Sequence, residues 1–595
     1  MTPDPASVSD AVTTGGGLLV LALVVPVAGV LLAFALGKRQ AERVALITMP
    51  LGLTIAIAIA VTLAQTHAPL VYLIGGWAPP LGVALRADAL SAIMMAITAV
   101  VMCAVGAFAR TDFRSPTEPD EARAPFAFWI LLLAVWGALN TVFVGGDLFT
   151  LYVALELLTF AAVPLVCLDG RGETLQAALR YLLFALLGSV LYLVGTALLY
   201  GSYGTLDITL LSREIEAQPA TLIAAALMTV GLLAKTALFP VHLWLPPAHA
   251  GAPAAASAVL SALVVKGSFF IVVRLWFDVM PALPGRPSTV LLAAFGAAAI
   301  VFGSVVALRQ ERLKLLVAYS TLAQIGYLFL MFPLALDPGS EQLRAGAALT
   351  GGLLQTVSHA TAKAAMFLAA GLIYMALGHD RIGGLAGVAR ALPISVLAFA
   401  LGGVALVGLP PSGAYLAKEL LLHAAAQTGQ WWWAVVIQAG GVFTCSYLLL
   451  VLLHAMAPAD ARVTLRVPVP RVAEAAALAL ALCSLLLGLF PWQAYLAVPL
   501  ETSSNPFTID TFWTALWLFV SGGVLAILLG RWGQRLASGP LGRAITAGAG
   551  PVRRPGLAVA KMFEHVDGAL RQWPAASVAL LLMAMMFGAA MLVRR

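Results

Sequence analysis

Long apolar stretches alternate with short polar connections along the whole chain. About 20 consecutive apolar residues are needed to cross the roughly 30 Å of hydrocarbon in a bilayer. Sixteen stretches approach that length, at 17–36, 44–64, 89–109, 126–145, 147–167, 177–200, 221–245, 253–275, 288–308, 313–333, 346–376, 392–428, 432–456, 472–494, 510–530 and 574–593. The pattern predicts an all-α polytopic membrane protein with about 16 transmembrane helices.

Two of these spans, the seventh and the twelfth, are interrupted by prolines. The prolines are Pro240, Pro246 and Pro247 in the seventh span and Pro410 and Pro411 in the twelfth. A proline frees backbone groups that hydrocarbon cannot satisfy, so a break is tolerated only beside a polar cavity or other protein. The two breaks therefore predict discontinuous helices that lie on an ion path.

Composition supports the membrane assignment and argues against redox chemistry. The chain is 61% hydrophobic and 10% charged, whereas soluble proteins have roughly 45–50% apolar and about 25% charged residues. Its four cysteines are scattered without the spacing of a disulfide framework, a zinc site or an iron–sulfur site. We expect no metal, no cofactor and no nucleic-acid partner. Because no basic residue precedes the first apolar run, we also expect the first helix to be retained.

The distribution of basic residues predicts the orientation in the membrane. Connections after odd-numbered spans, counted with the span ends, carry 23 of the Lys and Arg residues, and those after even-numbered spans carry seven. Basic connections face the cytoplasm in most membrane proteins. The bias predicts a multi-pass protein of the cytoplasmic membrane with both termini on the non-cytoplasmic side.

The remaining four basic residues are all lysines inside predicted spans: Lys235, Lys266, Lys363 and Lys418. Lysine is otherwise rare here, with seven lysines against 27 arginines. An ammonium group changes its pKa with burial and neighbouring charge, whereas a guanidinium keeps its proton. Lysines at these depths are therefore suited to a stepwise proton relay.

Acidic and imidazole side chains accompany these lysines. Glu156 lies near the middle of the fifth span, and Glu419 directly follows Lys418. Neighbouring helix positions point about 100° apart, so Lys418 and Glu419 cannot both face one site. His359 precedes Lys363 by one turn and is placed to relay protons to it.

Each of these residues also has a purely architectural interpretation. An ionisable group at the bilayer centre costs about 2.5–3.5 kcal/mol on insertion scales, which favours a functional role. Pairing between helices could nevertheless serve only to hold them together. His242 and His249 flank the first break, where either proton transfer or stabilisation of the broken backbone would explain an imidazole.

Five segments resemble diagnostic segments of the proton-translocating, antiporter-like membrane subunits. This family is shared by respiratory complex I, the Mrp cation/proton antiporters and the energy-converting membrane hydrogenases. The resemblance covers about residues 75–430, with its segments in the family order. They read DLFTLYVALELL, AKTALFPVHLWLPPAHAGAPAAASAVLSALVVKGSFF, ERLKLLVAYSTLAQIGYL, HATAKAAMFLAAGLIY and LVGLPPSGAYLAKELLL.

The resemblance implies a fourteen-helix core with two inverted five-helix repeats, each containing one broken helix. The implied layout is N-terminal helices in 1–125, repeats in 126–275 and 288–456, and C-terminal helices in 472–595. The relay residues that it implies are Glu156, Lys235, Lys266, His359, Lys363 and Lys418. One departure is LPPAH at 245–249, where many members read LPDAH, which puts in doubt any acidic contribution to a lateral access path.

The mechanism implied by the resemblance is electrostatic, and no catalytic chemistry is expected of the chain itself. Glu156 would hold Lys235 charged until a neighbouring subunit draws the carboxylate away, and the proton would then pass inward. Partners would be the other membrane subunits of a proton-pumping oxidoreductase or of an assembly that exchanges H⁺ for Na⁺. The alternative is a membrane energising subunit for a soluble inorganic-carbon uptake protein.

The connection 531–573 carries seven Lys or Arg residues before the last span. The distal complex I subunit has a long lateral helix in the corresponding place. Here Gly539-Pro540, Gly550-Pro551 and Pro555 interrupt the segment. We therefore expect short amphipathic pieces on anionic lipid headgroups instead of one long helix.

Overall fold

A computed structural model describes residues 12–113, 123–459, 463–496, 508–530 and 550–593. Within these ranges, fifteen helices are long and apolar enough to cross a membrane. The twelfth predicted span adds a pair of shorter helices. The all-α polytopic class with about 16 transmembrane helices is therefore confirmed, whereas the division into two inverted repeats and the domain limits stay predictions.

The helices follow one another with short connections. They are α1 (Gly17–Leu36), α2 (Ala41–Thr66), α3 (Ala89–Ala109), α4 (Arg123–Val144), α5 (Leu148–Val166), α6 (Gly172–Tyr203), α7 (Pro219–Thr236), α8 (Leu245–Gly251), α9 (Ala254–Val279), α10 (Arg286–Leu308), α11 (Leu313–Leu334), α12 (Ala347–Leu377), α13 (Pro393–Val407), α14 (Gly413–Gln427), α15 (Trp431–Met456), α16 (Arg471–Leu489), α17 (Ile509–Leu529), α18 (Gly550–Leu570) and α19 (Trp573–Leu592). Shorter helices cover Ile208–Glu214 and Val388–Ala391.

A two-stranded antiparallel hairpin, which the hydrophobic pattern did not predict, lies between α2 and α3. Its strands are β1 (Leu70–Leu73) and β2 (Ala84–Ala87), with Leu70 opposite Ala87. The N–H of Thr13 donates to the carbonyl of Val71. The first described residues are thus hydrogen-bonded to the hairpin.

The first predicted break is present between α7 and α8. Helix α7 ends at Thr236, and Ala237 takes a left-handed conformation with φ of 60°. The indole N–H of Trp244 donates at 2.9 Å to the carbonyl of Ala234, which also accepts from the N–H of Ala237 at 3.3 Å. The side chain of a residue in the break thus contacts the end of α7.

The prolines at this break have two different positions. Pro240 lies between the two helices, as predicted. Pro246 and Pro247 instead lie in the first turn of α8, where the missing N–H has no helical partner to lose. The break around these prolines is therefore present, with Pro246 and Pro247 at its far edge, where they help to start the next helix.

The second predicted break separates α13 from α14. Gly408 ends α13 with φ of 83°, a left-handed conformation that glycine adopts without steric cost. Pro410 and Pro411 follow in the break. The Ser412 side chain then accepts from the N–H of Tyr415 and caps α14.

Glycine pairs allow two helix pairs to approach backbone to backbone. A methyl group on Gly231 of α7 would lie 2.3 Å from the carbonyl oxygen of Gly188 on α6. The same distance separates a methyl on Gly326 of α11 from the carbonyl of Gly296 on α10. Small residues at membrane helix contacts permit this close packing.

Two cavities have charged linings. One lies among the connections that follow odd-numbered spans, and the other lies among those that follow even-numbered spans. The larger, here called the vestibule, has a volume of about 610 Å³. The second cavity, of about 220 Å³, lies beside the hairpin. Vestibule residues include Asp112, Asp169, Arg171, Glu173, Arg312, Lys314 and Arg571, and residues of the second cavity include Arg86, Asp88, Gly145, Ile208 and Arg274. We call the two sides the vestibule face and the hairpin face.

The helix before the last span is longer than the sequence predicted. Residues 531–549 lie outside the described residues, but α18 runs without interruption for 21 residues. Pro551 lies in its first turn and Pro555 within it, so the expectation that Pro555 interrupts the segment is wrong. Val559, Met562 and Val566 form an exposed apolar stripe along α18, in keeping with the predicted amphipathic character.

Candidate functional site

Lys235 and Glu156 meet across α5 and α7. The Lys235 Nζ lies 3.6 Å from Oε1 of Glu156. It also donates to the Thr159 hydroxyl at 2.9 Å and to the Leu155 carbonyl at 3.4 Å. Lys235 occupies the last turn of α7, where the negative end of the helix dipole favours a cation. The structure therefore brings together the first two predicted relay residues.

A small cavity adjoins this pair on the side of α9. Its volume of about 10 Å³ is close to the minimum that one water molecule needs. Thr159, Tyr181, Lys235 and Ser268 provide its polar lining. The Thr236 hydroxyl also donates to the Ser268 hydroxyl at 2.9 Å, so polar contacts connect the Lys235 region to the helix that carries Lys266.

Lys266 lies at a local widening of α9. Residues Leu260–Val264 form a π-helical turn, a feature often found at functional sites. The Lys266 ammonium donates to the carbonyl of Ser261, and the side chain is 1% exposed. The hydroxyl of Ser261 lies 2.9 Å from that of Thr321 on α11.

Polar residues on α11 continue the sequence of contacts beyond Lys266. Ser320 and Thr321 are followed one turn later by Gln324 and another turn later by Tyr327, and all four are completely buried. Gln324 accepts from the Gln355 amide at 2.9 Å and donates to the hydroxyls of Thr444 at 3.1 Å and Tyr447 at 3.4 Å. Helix α11 thus carries a polar stripe through the interior. We call Ser320, Thr321, Gln324 and Tyr327 the α11 stripe.

Lys363 contacts the α11 stripe from α12. Its ammonium donates to the Ser320 hydroxyl and to the Val317 carbonyl, the latter at 3.3 Å. Lys363 and His359 are both fully buried. Neither ring nitrogen of His359 has a hydrogen-bond partner among the described residues. The imidazole therefore retains free donor and acceptor capacity close to this lysine.

Lys418 lies at the second break and meets the other end of the α11 stripe. Its ammonium donates to the Val407 carbonyl at 2.6 Å and so satisfies the end of α13. The same nitrogen is 5.2 Å from the ring centroid of Tyr327, within the range of a cation–π contact. Both lysines at the breaks thus lie at the negative end of a half-helix.

The secondary candidates differ in their surroundings. His249 is buried and stacks on Phe367, with ring centroids 4.7 Å apart. His242 is also buried, and its Nε2 lies 3.7 Å from Oδ1 of Asp567. Glu419 is only half-buried, unlike the neighbouring Lys418. Lys418 and Glu419 thus differ in burial although they are adjacent in the chain.

Two further cations, the buried Lys314 and the partly buried Arg274, were not predicted as interior residues because both lie at span ends. Lys314 is 7% exposed, and its ammonium donates to the Ala252 carbonyl just after α8. Arg274 lies within α9 and pairs with Asp88 at 2.5 Å and Asp278 at 2.7 Å. A charged residue at the end of a span can reach water, so its position does not predict burial. The available signal was that Lys314 lies in ERLKLLVAYSTLAQIGYL, one of the five segments that resemble the family.

Comparison with known proteins identifies the family. The family model described as NADH:quinone oxidoreductase/Mrp antiporter, TM, matches residues 145–444. The chain is 32% identical over 404 residues to the N subunit of NADH-quinone oxidoreductase from Desulforudis audaxviator, covering 67% of this chain and 78% of that protein. It is 28% identical over 385 residues to a subunit of the Na(+)/H(+) antiporter from Alkalihalophilus pseudofirmus, covering 64% and 75%.

A solved structure gives independent support for the fold. A chain of the Mrp complex from a Dietzia species is similar with a TM-score of 0.71 and 24% identity, over 87% of this chain and 98% of that one. The matched residues 145–444 contain every predicted relay residue from Glu156 to Lys418. The chain therefore belongs to the family of NADH:quinone oxidoreductase/Mrp antiporter transmembrane proteins.

Proposed function

We propose that this chain is a proton-translocating subunit of a multisubunit membrane complex. The observation that carries the proposal is the α11 stripe, which contacts or connects three buried lysines, Lys266, Lys363 and Lys418. Hydroxyl and amide groups can donate and accept hydrogen bonds in turn. An apolar helix in this position would separate the lysines instead.

The relay begins at the pair formed by Glu156 and Lys235. While the carboxylate is close, it favours the charged ammonium, and its withdrawal favours release of the proton. The one-water cavity and the contact between Thr236 and Ser268 lead from there toward Lys266. Ser261 and the α11 stripe extend the route to Lys363 and Lys418.

Glu156 lies near a lateral surface, which supports control by a neighbouring subunit. Its side chain is 16% exposed, and Val153, Leu157 and Phe160 beside it on α5 are exposed apolar residues. An exposed apolar face of a membrane helix fits either lipid or another membrane protein. A charge on an adjacent subunit could therefore draw the Glu156 carboxylate away from Lys235.

The same proposal includes the orientation and the cellular membrane. The vestibule gathers connections that follow odd spans, and these carry most of the Lys and Arg residues. By the positive-inside bias, we assign the vestibule face to the cytoplasm of a multi-pass protein in the cytoplasmic membrane. Both ends of the chain then lie on the opposite side.

The partners follow from the relatives, which are named as subunits of NADH-quinone oxidoreductase and of a Na(+)/H(+) antiporter. Either kind of assembly would supply the driving force, as electron transfer or as a cation gradient. These relatives do not favour the alternative of an inorganic-carbon uptake partner. Na⁺ exchange remains part of the proposal.

The test is proton flux in proteoliposomes that contain the intact assembly. We expect a pH change inside the vesicles that requires either the redox substrate or an imposed Na⁺ gradient. Omission of Na⁺ distinguishes the two energy sources. Absence of proton movement under both conditions, in an assembly that retains all its subunits, would contradict the proposed function.

A further inference from the structure

The end of α18 inserts charged groups between α11 and the first break. Oδ2 of Asp567 accepts from the Tyr319 hydroxyl of α11 at 2.6 Å. The same oxygen lies 2.8 Å from Nη2 of Arg571, which also donates to the Tyr319 hydroxyl. Asp567 is 7% exposed, so a residue of the last connection is buried against the interior of the protein.

The second oxygen of Asp567 faces the first broken helix. Oδ1 lies 3.7 Å from Nε2 of His242, slightly beyond hydrogen-bond length. Within the described part of the chain, neither this oxygen nor either ring nitrogen of His242 has a hydrogen-bond partner. An unpaired carboxylate oxygen and an unpaired imidazole edge therefore face each other in a buried site, where such groups are costly unless they interact.

Aromatic rings isolate this contact from other charges. Phe239 and Phe302 lie 5.5 Å and 5.3 Å from the His242 ring, measured between centroids. Phe302 in turn contacts Phe563 of α18 at 5.5 Å. Asp567 and Arg571 both act electrostatically on His242, Asp567 in favour of its positively charged form and Arg571 against it. The His242 imidazole is therefore enclosed by the break, α10, α11 and α18. Tyr319 and the three phenylalanine rings provide the contacts.

The carboxylate also lies next to the vestibule, because Arg571 forms part of the vestibule wall. Burial opposes ionisation of Asp567, but His242, Arg571 and the Tyr319 hydroxyl outweigh it and lower the pKa of the carboxyl. A carboxyl that stays charged does not carry protons at neutral pH. It acts instead on the groups beside it.

We infer that Asp567 is a positioning residue for His242, holding the imidazole ring at the first break and stabilising its positively charged form. The inference rests on the proposed function. With the ring so held, His242 takes up a proton from the vestibule side and releases it within the break. Helix α18 then takes part in the relay, in addition to the contact with lipid headgroups that its sequence predicts.

Helix α18 also provides a matched control. Glu564, one turn before Asp567, pairs with Arg309 at 3.3 Å. This pair holds α18 against the end of α10 without contacting the break. A simple docking role for Asp567 predicts similar consequences when either acidic residue is neutralised, whereas the inference predicts different ones.

The experiment compares proton flux in the reconstituted assembly for Asp567→Asn, Asp567→Glu and Glu564→Gln. Asn keeps an acceptor for Tyr319 but loses the charge, and we expect flux to fall by about tenfold or more, as for loss of a charged hydrogen-bond partner. Asp567→Glu keeps the charge and should retain most of the wild-type flux. The flux of Glu564→Gln should remain near that of the wild type. Equal loss in Asp567→Asn and Glu564→Gln would overturn the inference.

A double substitution tests whether Asp567 acts through the imidazole. We expect His242→Gln alone to reduce flux and Asp567→Asn to add no further loss in that background. Normal flux in His242→Gln would overturn the inference even if Asp567→Asn failed to assemble. Lys235→Ala serves as the separate test of the relay: if it retains full flux, the proposed function fails. If only Asp567→Asn and His242→Gln retain full flux, this inference alone fails.

Discussion

The ammonium of Lys235 lies 3.6 Å from the carboxylate of Glu156, with the two groups supplied by different helices. Glu156 Oε1 has no hydrogen-bond partner among the described residues, and Lys235 has two others on α5. The lysine is thus held by hydrogen bonds to neutral groups, whereas Oε1 of Glu156 is held only by its attraction to the ammonium. This asymmetry is what a switchable pair requires.

Substitution of either member should abolish coupled transport. We expect Lys235→Ala and Glu156→Ala each to reduce proton flux to the background of protein-free vesicles while the subunits still assemble, because each removes one half of the switch. Glu214→Gln, at an exposed carboxyl of the short helix Ile208–Glu214, is the control and should transport normally. Wild-type rates of proton flux in both alanine variants would show that Glu156 and Lys235 serve only to hold the two helices together.

Lys266→Arg should fail although it preserves the positive charge. A guanidinium does not release its proton in a protein, and its greater bulk would also disturb the π-helical turn at Leu260–Val264. We expect proton flux to fall by about a hundredfold or more, the range associated with loss of a proton-transfer group. Lys561→Arg, at an exposed site on α18, should have no effect. An active Lys266→Arg variant would argue strongly against the relay.

Gly231→Ala should separate α6 from α7 and move Lys235 away from Glu156. The new methyl would lie 2.3 Å from the backbone oxygen of Gly188, which cannot yield by a side-chain rotation. Overpacking of this kind costs about 1–3 kcal/mol.

The measurement for Gly231→Ala is the thermal stability of the detergent-solubilised assembly together with proton flux. Gly201→Ala on α6 is the matched control, because nothing lies within 4 Å of the added methyl. Gly201→Ala should match or slightly exceed wild-type stability. Equal behaviour of the two variants would show that the close helix approach is not needed.

Thr321→Val should interrupt the polar route between α9 and α11 without changing side-chain shape. It removes the hydroxyl that lies 2.9 Å from Ser261 and leaves a buried group unpaired, at a cost of about 1–3 kcal/mol. Proton flux should fall more than stability does. In Thr356→Val the lost hydroxyl bonds, among the described residues, only to the Gly352 carbonyl within α12, so transport should persist. Unchanged flux in Thr321→Val would exclude this hydroxyl from the route.

The pair formed by Asp88 and Arg274 should make stability depend on acid pH. Burial opposes ionisation of Asp88, but the charge and hydrogen bonds of Arg274 outweigh it and lower the pKa of the carboxyl to about 2. An unfolded aspartate has a pKa of about 3.9. The stabilisation is therefore complete above about pH 4 and is lost as the pH falls toward about 2.

Thermal unfolding of the solubilised protein over this acid range would detect the dependence. Asp88→Asn should lower stability at neutral pH and flatten its decline between about pH 4 and pH 2. Glu214→Gln should leave the decline unchanged. A wild-type decline in Asp88→Asn would assign the acid sensitivity to other carboxyls.

Much of this arrangement follows from where polar residues interrupt apolar sequence. The two proline-rich interruptions predicted both broken helices, because hydrocarbon leaves a freed backbone group few alternatives. Lys235, Lys266, Lys363 and Lys418 were identified for the same reason, since a central lysine is costly in lipid. Both predictions are possible from one sequence because a proline or a lysine within a membrane span is energetically costly and therefore uncommon.

Other parts of the site carry no comparable signal. Ser320, Thr321 and Gln324 are ordinary residues of a buried helix, and only their contacts show that they connect lysines. Lys314 lies second in its helix, where a lysine would more often reach water. Asp567 follows a basic, proline-containing segment that appeared suited to lipid headgroups. In all three cases the role depends on a residue that is distant in the sequence and adjacent only in the folded protein.

The vestibule has an electrical consequence. A space of about 610 Å³ lined by seven charged side chains would fill with electrolyte, and the potential of the adjoining solution would then extend inward as far as Lys314. The transmembrane voltage then falls over a shorter distance than the full bilayer. Moving one elementary charge across 100 mV corresponds to about 2.3 kcal/mol. A proton that crosses the protein from the vestibule would therefore experience this voltage over a shorter path.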